Sequence, residues 1–208
     1  MKKNIKNRKS TLIPLPKHVL ILCEGKSEEI YVKSYSSQEQ NRRRLANVDI
    51  QVYQPKNYSP LGLLKEAKKR KEEAKRDKMP YDSIWIIFDK DGHANIPQTF
   101  EEAKDVKIYI IFSAICFEMW ILLHFEKTSK FFHNCDEIVS YITKKKYLDY
   151  TKTNYFNQLT DEQKDIACEN SKWLRKQNET AINKGNHIYE LKAYTDFDNL
   201  MEYLQNIQ

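Results

Sequence analysis

Three acidic residues in the first half of the chain follow short apolar runs. Glu24 follows residues 18–23, and Asp89 and Asp91 follow residues 83–88. Continuous apolar runs of this length are typical of β-strands buried on both faces. Ligands of open parallel sheets bind at the carboxyl ends of the strands. If these two strands are neighbours, we expect the three carboxylates to converge on one small volume.

Converging carboxylates favour a particular class of metal ion. Like charges raise each other's pKa and disfavour ionisation, and a divalent cation removes that penalty. Oxygen ligands without a nearby His or Cys favour Mg²⁺, or alternatively Mn²⁺, over zinc. The alternative for residues 89–92 (D-K-D-G) is a simple polar turn. Taken together, Glu24, Asp89 and Asp91 favour the metal site.

Two further residues lie in the apolar stretch 116–125, which predicts a buried helix. Glu118 would be costly to bury there unless it is paired or bound to a metal. It is therefore either a catalytic residue or the structural partner of an Arg, a Trp or a backbone group. His124 projects to a different face of the helix, and we interpret it as a hydrogen-bonded core histidine rather than a proton shuttle.

Four residues are candidates for contact with a substrate. His93 lies just past the second acidic stretch and could touch substrate. Lys26 lies at a predicted helix start, where backbone N–H groups and the ammonium could meet a phosphate together; the alternative is simple solvent exposure. Arg43 and Arg44 belong to a basic run at 42–44, which is either a phosphate-contacting surface or a solvated helix face.

The elements that must position these residues alternate between strand and helix. Strands are predicted at 18–23, 48–53, 83–88 and 106–112. Helices are predicted at 27–45, with Ser27 as N-cap, and at 61–78 and 97–105. Strands separated by helices imply an α/β fold with a mostly parallel sheet.

The second half of the chain is predicted to be helical. Beyond the buried helix, amphipathic segments lie near 134–147, 160–182 and 195–206. We therefore expect three parts, which are a basic N-terminal segment (1–16), an α/β core (17–125) and a helical C-terminal portion packed on that core (126–208).

Composition limits the class of protein. The chain has 208 residues, a net charge of +6 and 31% charged residues, which fits one domain with a real core and excludes a disordered tail. No apolar run approaches the roughly 18 residues that cross a bilayer, so we expect no membrane contact and a cytoplasmic location. The spacing of the cysteines supports neither a zinc knuckle nor a disulfide framework, and we expect buried free thiols at Cys23, Cys116, Cys135 and Cys168.

Three stretches resemble the RloB-like proteins, which contain a Toprim domain and are often encoded in restriction and phage-defence loci. The stretches are residues 23–31 (C-E-G-K-S-E-E-I-Y), 87–91 (I-F-D-K-D) and 117–125 (F-E-M-W-I-L-L-H-F). The third is the most specific, and a weaker similarity extends over 194–204. One departure is visible at 113–115, where this chain has Ser-Ala-Ile and the family usually has Ser-Asn-Pro.

The resemblance implies a Toprim-like fold and metal-dependent phosphodiester chemistry. By carry-over, Asp89 and Asp91 would hold Mg²⁺, and Glu24 would bind a metal or act as general base or acid near it. The implied activity is a nuclease acting on RNA, tRNA included, or on DNA in antiviral defence, with a partner ATPase or another defence-locus protein. The alternative is a non-catalytic nucleic-acid-binding or nucleotide-binding subunit, although a pure binder gains nothing from crowded carboxylates. A topoisomerase is excluded by size, and the chain has no zinc module of the kind expected in a primase.

Overall fold

The computed structural model describes residues 15–90 and 92–207, which form an α/β fold. Within them, five strands make one sheet in the order β2-β1-β3-β4-β5. The first four strands are parallel and β5 is antiparallel to β4. The strands are β1 (Lys17–Cys23), β2 (Val48–Tyr53), β3 (Ser83–Asp89), β4 (Tyr109–Ala114) and β5 (Tyr194–Thr195). The prediction of a mostly parallel α/β sheet is confirmed.

Eight α-helices flank the sheet in the described part of the chain. They are α1 (Lys26–Ser37), α2 (Glu39–Arg44), α3 (Pro60–Arg76), α4 (Ile96–Asp105), α5 (Glu118–Leu123), α6 (Cys135–Lys144), α7 (Asp161–Asn183) and α8 (Phe197–Asn206). None of these helices has both the length and the apolar character needed to span a bilayer.

The central strands are buried on both faces, as their continuous apolar runs predict. In β1, Val19 and Ile21 enter a core that contains residues of α1, α5 and α8, whereas Leu20 and Leu22 enter a second core that contains residues of α3 and α4. Strand β3 alternates in the same way. Because both faces are covered, only the strand ends are left for polar side chains.

The predicted helix at 27–45 is divided into α1 and α2. Gln38 has φ −57° and ψ 140°, which interrupts the helix, and the Asn41 amide donates to the Tyr35 carbonyl across the break (2.8 Å). The prediction of Ser27 as N-cap is wrong. Gly25 is the N-cap, with an extended backbone, and Ser27 is instead buried inside the first turn.

The fourth strand begins later and ends later than the predicted 106–112. Helix α4 ends at Asp105 with Val106 as its C-cap, and Lys107 has a positive φ of 55°, so the backbone turns before the strand can start. The strand then continues to Ala114, which places Ser113 opposite Asp89 in the register. This extension brings the following segment to the carboxyl end of β3.

Strand β5 was not predicted. It contributes only two residues, and Thr195 pairs with Ser113, which is too short for a periodic pattern to reveal. The adjacent Asp196 accepts a hydrogen bond from the Phe112 amide (2.8 Å). The division into three parts stays a prediction, and residues 1–14 of its first part lie outside the described residues.

Candidate functional site

The two strands that precede the acidic residues are neighbours, so Glu24 and Asp89 lie together at one edge of the sheet. Strand β1 pairs with β3, and Cys23 lies opposite Ile87. Glu24 follows β1, and its Oε2 accepts a hydrogen bond from the Asp89 amide (2.9 Å). Asp91 lies outside the described residues, so its predicted role stays a prediction.

Asp89 is held by one hydrogen bond while its other oxygen is left without a partner. The Phe117 amide donates to Oδ2 (3.0 Å), whereas Oδ1 is buried and has no hydrogen-bond partner among the described residues. Burial raises the pKa of Asp89 well above its usual value, and the nearby Glu28, Glu118 and Glu24 raise it further. Burying a carboxylate oxygen without a partner costs free energy, and a bound cation would supply that partner.

Glu28 is a fourth carboxylate of the site, and the sequence did not identify it. It lies in the first turn of α1, where an acidic residue is ordinarily explained by the helix dipole. In the structure it is only 3% exposed. Burial raises its pKa to about 7, and the charges of Glu118 and Glu24 act in the same direction. Gly25 makes room for it, because a Cβ at that position would collide with the Glu28 carboxylate.

The neighbouring Glu29 shows why Glu28 is different. Glu29 binds two ammonium groups, those of Lys26 (2.6 Å) and Lys33 (2.5 Å). The predicted phosphate-binding Lys26 is therefore engaged in an ion pair, although its side chain stays 56% exposed. No lysine or arginine of the described residues forms such an ion pair with Glu28. In the sequence, the signal for the buried position of Glu28 was Gly25, whose missing side chain leaves room for the carboxylate.

Glu118 begins α5 and is 5% exposed. The Tyr150 hydroxyl donates to its Oε1 (2.6 Å), and no Arg or Lys of the described residues forms an ion pair with it. Tyr150 also lies 3.4 Å from the Ser27 hydroxyl, and the Tyr155 hydroxyl donates to the Ser27 carbonyl (2.6 Å). These two tyrosines thus connect the segment before α7 to the N-terminus of α1 and to Glu118.

His93 lies directly on the acidic cluster. Its Nε2 is 2.6 Å from Glu24 Oε1, and it also lines a cavity of about 410 Å³ together with residues such as Ile96 and Tyr189. The expectation that no His or Cys lies near the carboxylates is therefore wrong, because the loop after β3 folds back over the end of β1.

Two cysteines also approach the cluster. The thiols of Cys116 and Cys135 and a carboxylate oxygen of Glu118 all lie within 4.8 Å of one another. Helix α6 packs against α5 and places Cys135 at this point, which linear spacing did not reveal. All four cysteines are free, as predicted, but the prediction that all are buried is wrong, because Cys135 and Cys168 are partly exposed.

Arg43 and Arg44 are not brought to the cluster. Arg43 pairs with Glu39 on α2, and Arg44 donates to the Tyr35 hydroxyl (3.1 Å) and to Asn41 Oδ1 (2.9 Å). These interactions within the protein do not test whether the two arginines contact a substrate, so that contact stays a prediction.

His124 is a core histidine, as interpreted from the sequence. Its Nδ1 donates to the Trp120 carbonyl (2.9 Å), so its Nε2 accepts from the Tyr31 hydroxyl (2.9 Å). Burial lowers the pKa of His124 to about 3. The imidazole is therefore neutral at physiological pH and takes no part in the acidic site.

A protein-family model described as "RloB-like protein" matches residues 19–204. The match begins in β1 and ends in α8, so it includes the three motif stretches and the helices that follow them. No curated protein and no solved structure matches the chain.

Proposed function

The chain belongs to the RloB-like family, and from that premise we propose that it is a Mg²⁺-dependent nuclease that hydrolyses phosphodiester bonds in RNA, tRNA included, or in DNA. The observation that carries the proposal is the meeting of Glu24, Glu28, Asp89 and Glu118 at the carboxyl ends of β1 and β3. Such crowding of carboxylates has no structural benefit unless a cation joins them.

The donor set fits a hard divalent cation. Asp89 offers a buried oxygen that has no partner among the described residues, and carboxylate oxygens are the ligands that Mg²⁺ and Mn²⁺ prefer. We assign the metal to Glu24 and Asp89, with Asp91 retained from the sequence. A metal ion bound there would neutralise phosphate charge and lower the pKa of a water molecule for attack on phosphorus.

The remaining polar groups have separate tasks in this proposal. Glu24 Oε1 and His93 Nε2 lie 2.6 Å apart. In this proposal the pair accepts a proton from the nucleophile and donates a proton to the leaving group. Tyr150 orients Glu118 through its hydroxyl. The cavity beside His93 offers about 410 Å³ for part of a substrate.

A role in antiviral defence, with an ATPase or another defence-locus protein as partner, is the part of the proposal that depends on the family alone. The second candidate function is a non-catalytic subunit that binds nucleic acid or nucleotide through the same cation. The raised pKa values of the buried Glu28 and Asp89 favour catalysis, because a binding surface would present its cation ligands without this electrostatic cost.

The deciding experiment combines cleavage with thermal unfolding. The full chain is incubated with end-labelled tRNA, single-stranded DNA and duplex DNA, with Mg²⁺, Mn²⁺ or EDTA. We expect metal-dependent cleavage of one substrate class. Metal at about a hundred times its Kd should also stabilise the fold by about 2.7 kcal/mol. Metal-dependent binding without cleavage would support the second candidate, and an unchanged melting temperature in millimolar metal would contradict the metal site itself.

Neutralising the basic run on α2 tests the prediction that Arg43 and Arg44 contact the phosphates of the substrate. If Arg42, Arg43 and Arg44 contact phosphates, their joint replacement by Gln should make the dependence of binding on salt shallower. The logarithmic slope should fall by about 0.7 per lost contact on a single strand. The measurement is fluorescence anisotropy over a salt series.

The matched control removes the same charge elsewhere. Lys104, Lys176 and Lys184 are exposed and scattered, and their joint replacement by Gln should leave the slope close to that of the wild type. If the two triple variants have the same salt slope, the slope depends on the net charge of the protein alone. The basic run on α2 is then a solvated helix face.

A further inference from the structure

Beside the carboxylate cluster lies a second group of potential ligands with different chemistry. Cys116 follows β4, Glu118 begins α5 and Cys135 begins α6. Their three ligand atoms lie within 4.8 Å of one another. Cys116 and Glu118 are buried, whereas Cys135 is partly exposed and lines the cavity that also contains His93.

We propose that Cys116, Cys135 and Glu118 form a binding site for Zn²⁺, separate in chemistry from the Mg²⁺ site of the acidic cluster. Zinc binds thiolates at about 2.3 Å and carboxylate oxygens at about 2.0–2.2 Å in tetrahedral sites. Tetrahedral ligands at those lengths lie about 3.5–3.8 Å apart, so three atoms already within 4.8 Å need only a small adjustment.

Ligand softness separates the two sites. Thiolates select zinc and discriminate against Mg²⁺, whereas the carboxylates of Glu24 and Asp89 suit the hard ion. With three protein ligands, the zinc would keep a fourth position. Because Cys135 lines the cavity, water or a ligand in that cavity can reach this position.

Cys135 lies at a capped helix start. It is the first residue of α6, a ten-residue helix whose Asn134 cap accepts a hydrogen bond from the Glu137 amide (3.0 Å). Zinc at this site would connect the turn after β4 to the start of α6. It would therefore hold the N-terminus of α6 beside the acidic cluster.

A redox pair explains the geometry less well than a metal site. A disulfide would join only the two sulfur atoms, whereas a carboxylate oxygen of Glu118 lies within 4.8 Å of both of them. The carboxylate of Glu118 also attracts a cation.

Cobalt provides a direct test that does not involve cleavage. The full chain, reduced and freed of metal, is titrated with Co²⁺ in the presence of excess Mg²⁺. We expect a thiolate-to-cobalt charge-transfer band that saturates at one ion per chain and disappears when Zn²⁺ is added. Zinc should also raise the melting temperature.

Variants identify the ligands. Cys135→Ala removes a partly exposed thiol and should weaken Zn²⁺ binding at least about tenfold, since even partners that only orient metal ligands contribute 10–100-fold. Glu118→Gln should weaken binding but keep the thiolate band. The control is Cys168→Ala, on α7, which should match the wild type. Cys116→Ala should behave like Cys135→Ala where it folds.

Three results would overturn the proposal. These are no thiolate band in the reduced wild type, a band that survives in Cys135→Ala, and a Cys116–Cys135 disulfide formed with diamide in a protein that shows no band. None of these results depends on nuclease activity, so the zinc site and the proposed function can fail independently.

Discussion

Asp89→Asn is expected to lower Mg²⁺-dependent cleavage at least about a hundredfold while leaving the metal-free protein as stable as the wild type or more so. Loss of partners that merely orient metal ligands costs 10–100-fold, and loss of a ligand itself should cost more. The asparagine oxygen can still accept the hydrogen bond from the Phe117 amide, whose distance to Asp89 Oδ2 is 3.0 Å. The substitution meanwhile removes a negative charge from among Glu24, Glu28 and Glu118.

Cleavage rate and urea midpoint are measured on the same preparation, with EDTA for the stability series. The variant should also lose the increase in melting temperature that Mg²⁺ produces in the wild type. Asp165→Asn, on the exposed surface of α7, makes the same chemical change away from the site and should keep both properties. Wild-type cleavage by Asp89→Asn would remove this residue from the metal site.

Glu28→Gln is expected to stabilise the metal-free protein at pH 8 by roughly 3 kcal/mol and to have little effect at pH 4. This carboxyl has a pKa of about 7 in the folded protein, raised first by burial from its usual 4.5, and each pKa unit corresponds to about 1.4 kcal/mol. Relieving repulsion on Asp89 adds to the gain.

The sign of this effect follows from proton linkage. Below about pH 4.5, Glu28 is protonated in both the folded and the unfolded protein, so it causes no difference. As the pH rises from 4.5 to about 7, the unfolded chain loses this proton and the folded chain keeps it. The wild type is therefore progressively destabilised over this window, and above pH 7 the cost stays constant.

The measurement compares urea unfolding of wild type and Glu28→Gln between pH 4 and pH 8 in EDTA. Asp196, whose pKa burial also raises to about 7, and His124, whose pKa is lowered to about 3, add their own pH dependence to both proteins. The difference between the two curves isolates Glu28. The exposed Glu72 on α3 offers the control Glu72→Gln. If the free energy of unfolding depends on pH in the same way in all three proteins, folding does not raise the pKa of Glu28.

The sequence alone predicted the four parallel strands and the acidic residues that follow two of them, whereas the fifth strand and the adjacency of β1 and β3 came from the structure. Strands such as β1 and β3 are buried on both faces, so nearly every position must be apolar, and the first polar residue after each run marks the strand end. Parallel neighbours then bring Glu24 and Asp89 together at one edge. These conclusions are local, because each depends on a few consecutive residues and on one rule of sheet geometry.

The remaining members of the site were decided by tertiary structure. Glu28 has the same local sequence signal as Glu29, and only the packing of α1 decides which one meets Lys26 and Lys33 and which one is buried without a cation. Cys135 and Tyr150 come from the C-terminal half, where the return of α6 and of the segment before α7 places them on Glu118. Chain segments far apart in sequence meet because their apolar faces share one core. Periodicity reports which face is apolar but not which distant side chain will face it, so the pairing of thiols, tyrosines and carboxylates exists only in the folded protein.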